Sequence, residues 1–242
     1  MRIGACQTPE ILGDTDRAID LIREFAREPV DLLLFPECFL QGYLVTADHV
    51  HRHAHRLDFP DFAAVLGRLA DLRPTLVLGL IERDGAHYHN TAAVISRGRV
   101  VGRYRKTFLT RGESIFTPGT TYPVFGDDVR FGVNICYDTR FPEAAAAVAA
   151  GGAQVLLVPA QNMMRRAKAP RWEPLHHEIR ARRARETGLW LISADVTGAR
   201  AGTHLGLGPT SVLDPAGEVV AQVPTGKTGL VTVDIARNDN GG

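Results

Sequence analysis

Arg130-Phe131-Gly132-Val133-Asn134-Ile135-Cys136-Tyr137-Asp138-Thr139-Arg140-Phe141-Pro142 is the stretch on which the fold turns. Residues 129–135 read as a strand. Pro142 suits the first position of a helix, where its missing N–H would have no partner anyway. The Ala-rich segment after it stops at Gly151-Gly152, a residue pair that ends helices. Residues 154–158 read as the next strand. Strand, helix and strand follow in order, and Cys136 falls just past the carboxyl end of the first strand, where sites of α/β proteins collect.

The remainder of the second half continues the alternation. A helix over residues 172–187 carries Trp172, Leu175 and Ile179 on its apolar stripe, and strands follow at 189–194, 210–213, 218–223 and 230–233. The first half has the same order. A strand begins at Ile3, and Asp14 caps a helix whose Ala18, Ile22, Phe25 and Ala26 share one face. Residues 32–35 are a continuous apolar strand, and a helix over 60–72 turns Phe62, Val65, Leu66 and Leu69 inward. Strands at 75–81, 91–96 and 99–105 close the half, the last two joined by a turn at Arg97-Gly98. The pattern predicts an α/β fold with internal pseudo-symmetry, in which two sheets pack face to face with helices outside both. No Gly/Ser-rich linker separates the halves, so residues 1–242 are expected to form one domain, with a mobile tail over 238–242.

Composition excludes several classes. The chain has 242 residues, and 28 Lys plus Arg against 27 Asp plus Glu give a net charge of +1. That balance argues against a general nucleic-acid or membrane-surface protein. No apolar run approaches the roughly 20 residues of a membrane span. The start reads as a first strand and not as a signal peptide. Three cysteines, Cys6, Cys38 and Cys136, are too few for a disulfide framework and fit a reduced, cytoplasmic setting.

Four residues carry chemistry. Cys136, between a strand end and a helix start, has two readings: a small buried hydrophobe, or a nucleophile whose thiol feels a helix N-terminus and a nearby cation. Glu37 ends the apolar run 32–35 at the same kind of rim, either ion-paired or serving as a base with a raised pKa. Lys106 ends the strand 99–105, either solvated or placed to hold an oxyanion. Glu113 lies in the loop after it, either solvated or placed to hold the lysine or a water. Thiol, base and cation are the parts that acyl transfer through a thioester needs.

Three stretches resemble the motifs of the nitrilase superfamily of carbon–nitrogen hydrolases. Leu33-Leu34-Phe35-Pro36-Glu37-Cys38-Phe39 with Gln41-Gly42-Tyr43 resembles the first motif, and Tyr104-Arg105-Lys106-Thr107-Phe108-Leu109 the lysine motif. Asn134-Ile135-Cys136-Tyr137-Asp138-Thr139-Arg140-Phe141-Pro142-Glu143 resembles the nucleophile motif. Arg183-Ala184-Arg185-Glu186 and Asp214-Pro215-Ala216-Gly217 resemble later signatures, so the likeness runs in order from about residue 2 to 235. The resemblance implies a four-layer α-β-β-α sandwich and a Glu–Lys–Cys triad with no metal or other cofactor. It implies Glu37 as base, Lys106 as stabilising cation, Cys136 as nucleophile and Glu113 as the second glutamate. The N–H of Tyr137 is implied to complete the oxyanion hole with Lys106. A homodimer or larger homo-oligomer is also implied.

Substrate class is read from the motif's details. Cys136-Tyr137-Asp138 departs from the Cys-Trp-Glu of true nitrilases, and Thr139-Arg140 departs from the paired arginines of N-carbamoyl amino acid hydrolases. The form resembles the amidase branch acting on small carboxylated amides such as omega-amides. Arg140, with Tyr43 and Asn162, is then a candidate substrate contact; Arg140 is equally suited to pairing with Asp138 or Glu143. N-carbamoyl hydrolysis, nitrile hydrolysis, acyl transfer to an amine and a non-catalytic scaffold subunit stay open at this point. His49, His51, His53 and His55 alternate without a matching Cys or Asp cluster, and read as a solvated lid or loop and not a metal site. His87 and His89 flank a hairpin and suit a surface role. Arg180, Arg182, Arg183 and Arg185 are expected to make intrahelical or subunit pairs with acids such as Glu178 and Glu186. Met163, Met164 and Trp172 suit packing or the lining of a pocket.

Overall fold

The computed structural model describes residues 1–236, so the tail expected to be mobile lies outside the described residues. The first half comprises β1 (Arg2–Pro9), α1 (Thr15–Phe25), β2 (Leu32–Leu34), α2 (Ala47–His53), α3 (Pro60–Arg68), β3 (Thr75–Asp84), β4 (His87–Ser96) and β5 (Arg99–Arg105). The second comprises β6 (Val124–Phe125), β7 (Phe131–Val133), α4 (Pro142–Ala150), β8 (Val155–Pro159), β9 (Met163–Arg165), α5 (Ala169–Thr187), β10 (Trp190–Ala194), β11 (Val196–Arg200), β12 (His204–Leu207), β13 (Ser211–Leu213), β14 (Val219–Gln222) and β15 (Gly229–Asp234). Asp14 caps α1 as expected, its carboxylate accepting from the Arg17 N–H at 2.9 Å.

Strand order makes the internal repeat visible. In the first sheet β1, β2 and β3 run parallel, with β4 and then β5 antiparallel outside them. In the second sheet β7, β8 and β10 run parallel, with β13 and then β14 antiparallel outside them. α1 and α3 sit in the crossovers of the first set, α4 and α5 in those of the second. The first sheet extends beyond β1 through β11, β12 and β9, and β15 pairs antiparallel with β1.

Period-two alternation along the strands builds three apolar layers. Leu33, Leu78 and Leu80 face Ile19 and Ile22 of α1 and Phe62 and Val65 of α3. Leu32, Leu34 and Val77 face the second sheet's Val133, Val155, Leu157 and Ile192. Leu156, Val158 and Leu191 point the opposite way, against Val148 of α4 and Ala184 of α5. The layers therefore run helix, sheet, sheet, helix. Each fully buried leucine contributes roughly 1.5–3 kcal/mol, so the layers and not helix propensity hold the helices in place.

Three expectations are corrected. The helix expected over 60–72 stops at Arg68, and residues 69–72 continue as turns bonded to Leu66 and Leu69 carbonyls. The alternating histidines are not one solvated loop: His49, His51 and His53 lie on α2, capped by Thr46, with His51 exposed and His49 buried with Nε2 against the Gly42 carbonyl at 3.1 Å, while His55 follows the helix and makes a β-bridge to Glu82. β9, β11 and β12 were not expected, because Gly198 and Gly206 interrupt any apolar alternation and the strands are held by pairing with β1 and each other.

Candidate active site

The carboxyl ends of β2, β5, β7 and β8 deliver side chains to one cavity of about 450 Å³, lined by Glu37, Tyr43, Lys106, Cys136, Tyr137, Arg140 and Asn162 among others. Glu37 stands three residues past β2. That turn crosses β3 where only glycine fits: a Cβ on Gly79 would lie 2.1 Å from the Pro36 carbonyl and 2.9 Å from the Glu37 Cα. Lys106 directly follows β5, its backbone held between the Asn90 carbonyl and the Gly119 N–H, each at 2.8 Å. Cys136 opens a 3-10 turn, Cys136–Arg140, with φ of +45°, a strained left-handed conformation.

Asp138 fastens that turn to the lysine segment. It accepts from the N–H groups of Ile135, Thr107 and Phe108 at 2.8, 3.2 and 2.8 Å, and from the Tyr104 hydroxyl at 2.8 Å. It is fully buried, and burial pushes its carboxyl up while Lys106 and these donors pull it back. The alternative pairing of Arg140 with Asp138 or Glu143 is not what forms. The Arg140 guanidinium lies 5.7 Å from the centre of the Tyr137 ring and 5.6 Å from that of Trp172, facing the cavity.

Lys106 is 1 % exposed and bridges two carboxylates. Its Nζ donates to Glu37 Oε1 at 2.7 Å and to Glu113 Oε1 and Oε2 at 2.8 and 3.0 Å. Asn90 Nδ2 reaches the same two groups, at 2.7 and 3.2 Å. An unpaired ammonium at this depth would be several kcal/mol less stable. Burial alone would lower the lysine's pKa, but the negative charge of Glu37 and its neighbours outweighs it and holds the pKa well above its ordinary value.

The two glutamates respond in opposite directions to the same ammonium. Burial, only partly offset by Lys106, raises Glu37 to about 7, and the charge of Glu113 adds to the rise. Glu113 is also buried, but Lys106, the Thr110 N–H at 2.8 Å and Asn90 together hold it below its usual value. Two carboxylates face one cation, so one charge is surplus, and the better-donated Glu113 keeps its charge while Glu37 takes a proton near neutrality. The cluster thus holds a fixed cation and a base poised near pH 7.

The Cys136 thiol is pushed well above its ordinary pKa by burial and by Glu37, with Lys106 opposing. A direct bond from Cys136 to Glu37 would be the simplest arrangement. Instead the thiol donates to Asn162 Oδ1 at 3.8 Å. Glu37 Oε1 is already occupied by Lys106 and Asn90. Catalytic hydrogen bonds are often unformed before substrate arrives. Tyr137, next in the turn, presents one of the N–H groups that a helix start leaves without an intrahelical acceptor.

Of the residues expected in the site, Glu37, Lys106, Cys136, Tyr137, Tyr43, Arg140 and Asn162 line the cavity, and Glu113 lies behind Lys106. Burial raises the Tyr43 phenol well above its usual range, so it stays neutral. Met163, Met164 and Trp172 line the cavity too. Cys38 is outside it, in a separate cluster with Val50, Ile81 and Phe116. His89 is buried and not at the surface, its Nδ1 against the Thr117 carbonyl at 2.7 Å. Arg182 and Arg183 pair within α5 with Glu178 and Glu186, as expected. Arg180 does not: it is buried against Asp195 at 3.2 Å. Sequence reading also missed several lining residues, Arg200 and His176 among them. Arg200 pairs with Glu10 at 3.2 Å, and His176, lowered to about 3 by burial and Arg180, is a neutral imidazole. Among the described residues no His, Cys, Asp and Glu group has the spacing of a metal site, and no helix is long and apolar enough to cross a membrane.

The pattern of the carbon-nitrogen hydrolase family matches residues 2–241. A nitrilase of Pyrococcus abyssi is 30% identical over 94% of this chain and 87% of its own length. The omega-amidase NIT2 of Bos taurus is 28% identical over 90% and 81%. A glutamine-dependent NAD(+) synthetase of Rhodobacter capsulatus is 33% identical over 86% of this chain, which spans only 38% of the synthetase. The crystal structure of an amidase from Nesterenkonia sp. superposes with a TM-score of 0.83 at 29% identity, covering 98% of this chain and 90% of that one. A glutamate-to-glutamine variant of that amidase, at the same TM-score, carries the acetamide moiety of fluoroacetamide on its active-site cysteine.

Proposed function

This chain belongs to the carbon–nitrogen hydrolase family, amidase-type enzymes of the nitrilase superfamily, and from that premise we propose that it hydrolyses small carboxylated amides, as an omega-amidase does, through a thioester on Cys136. The observation that carries the reading is the buried Lys106 ammonium held between Glu37 and Glu113 on the cavity that Cys136 lines. The adduct on the active-site cysteine of the Nesterenkonia amidase supports the same assignment.

Glu37, in its ionised form, takes the thiol proton as the sulfur attacks the amide carbon. The carbonyl oxygen becomes an oxyanion, held by Lys106 Nζ and the Tyr137 N–H. Glu37 returns the proton to the nitrogen, the carbon–nitrogen bond breaks, and ammonia or an amine leaves a thioester. Water then attacks the thioester carbon with Glu37 again as base. The carbon–sulfur bond breaks, the acid leaves, and the thiol regains its proton. Glu113 fixes Lys106 and, by keeping its charge, keeps Glu37 basic. Base, cation and nucleophile are all side chains, so no step calls for a metal.

Arg140 directs the choice of substrate. Its guanidinium is free of Asp138 and Glu143 and lies between two rings at the cavity, a placement suited to a substrate carboxylate. Assembly as a homo-oligomer belongs to the same reading. A panel of carboxylated amides, neutral amides, N-carbamoyl amino acids and nitriles, read by ammonia release, tests it. Preference for carboxylated amides is the expected result. Preference for nitriles or carbamoyl compounds would replace the substrate class, and no turnover with any of them would favour the scaffold reading.

A further inference from the structure

Asn162, the thiol's hydrogen-bond partner, can serve in one orientation only. Its backbone N–H donates to Asp195 Oδ1 at 2.9 Å, and its Nδ2 donates to Asp195 Oδ2. A carboxylate paired with arginine accepts and does not donate, so the NH₂ side of the amide must face Asp195. The amide oxygen is thereby turned to the other side, where the Cys136 thiol finds it.

Asp195 is fixed in its turn. The Val196 N–H donates to Oδ1 at 2.9 Å and Arg180 Nη2 to Oδ2 at 3.2 Å. Arg180 reaches in from α5, and its Nη1 donates to Ser193 Oγ at 3.0 Å and to the Pro209 carbonyl at 2.6 Å. Both members of the pair are buried, Arg180 at 3 % and Asp195 at 0 % exposure. A buried ion pair adds little net stability over an apolar replacement, so its placement behind one amide points to geometry.

We propose that Arg180 and Asp195 are positioning residues that lock the Asn162 amide with its oxygen on Cys136, aligning the sulfur in the cavity before substrate arrives. The inference rests on the reading above only for the identity of the nucleophile. The other charged groups facing the sulfur, Glu37 from the end of β2 and Lys106 from the end of β5, make no bond to this chain of contacts. Once released from Asp195, the amide turns and offers Nδ2 to the sulfur, which favours the thiolate.

Labelling of Cys136 by iodoacetamide, located by mass spectrometry of its peptide, reads the sulfur without any substrate. Cys6 and Cys38 are fully buried and serve as internal references. In the full chain, Asp195→Asn is expected to raise the labelling rate about tenfold, the coupling usual within one hydrogen-bond network. In an Asn162→Ala background the same substitution is expected to change the rate about threefold or less, because the amide is gone and only the direct charge of Asp195 on the thiol remains. Arg180→Lys, alone and with Asn162→Ala, gives a second pair if Asp195→Asn does not fold, with the same pattern at about threefold. Equal changes in both backgrounds, or an unchanged rate in the folded single variants, would overturn the proposal. Labelling consumes no amide, so a chain inactive on the whole substrate panel leaves this test intact.

Discussion

Replacing Glu113 by glutamine removes the surplus charge from the buried cluster and keeps its shape. In the wild type two carboxylates share one ammonium, and Glu37 is raised to about 7. In the variant, one carboxylate faces one ammonium. The repulsion between two charges about 5 Å apart at an effective dielectric constant of about 20 is roughly 3 kcal/mol, or about two pH units. Lys106 and Asn90 contact both carboxylates and take up part of this change, so the expected shift in Glu37 is about one to two units downward. The sign follows from the proposed role: with Glu37 as the base, activity is present above its pKa and lost as pH falls through it. In the Glu113→Gln variant the acid limb of kcat/KM therefore moves to lower pH, and the plateau falls about tenfold because a weaker base removes the thiol proton less readily. Ammonia release measured from about pH 5 to 9 reads both limb and plateau. An acid limb that stays in place, or moves upward, would refute the assignment of the surplus charge and of Glu37 as the base.

Arg140→Leu is expected to raise KM for carboxylated amides about tenfold or more while neutral amides change little, the loss of one charge-assisted contact; equal effects on both would remove Arg140 from substrate recognition. Leu156→Ala, in the layer under α4 and α5, is expected to cost about 2–5 kcal/mol, read as a lower urea midpoint. EDTA is expected to leave turnover unchanged, and activity lost to EDTA and restored by zinc would contradict a mechanism built from side chains alone.

Much of the site was legible because its residues sit where strands end. The apolar run 32–35 located β2, the strands over 99–105 and 129–135 were also legible, and their ends made Glu37, Lys106 and Cys136 candidates; the order of the three motifs that resemble the family decided between their open readings. The partners behind them were less visible. Arg180 lies on a charged helix, and its burial depends on Asp195 arriving from the end of β10, a pairing with no local trace. Asp138 looked like a partner for its neighbour Arg140, whereas its donors come mostly from the Tyr104–Phe108 segment. The bond from the thiol to Asn162 in place of Glu37 likewise depends on how the segments after β7 and β8 meet in space, which no local pattern shows. In the fold, α2 was missed because a seven-residue polar helix shows too little periodicity, and β11 and β12 because glycines carry no facing pattern.

Acid-quenched mass spectrometry during turnover of a carboxylated amide tests the central claim most directly. The account predicts an acyl mass on the peptide that carries Cys136, none on those carrying Cys6 or Cys38, and no ammonia release in a folded Cys136→Ala protein. Undiminished ammonia release by Cys136→Ala would contradict it.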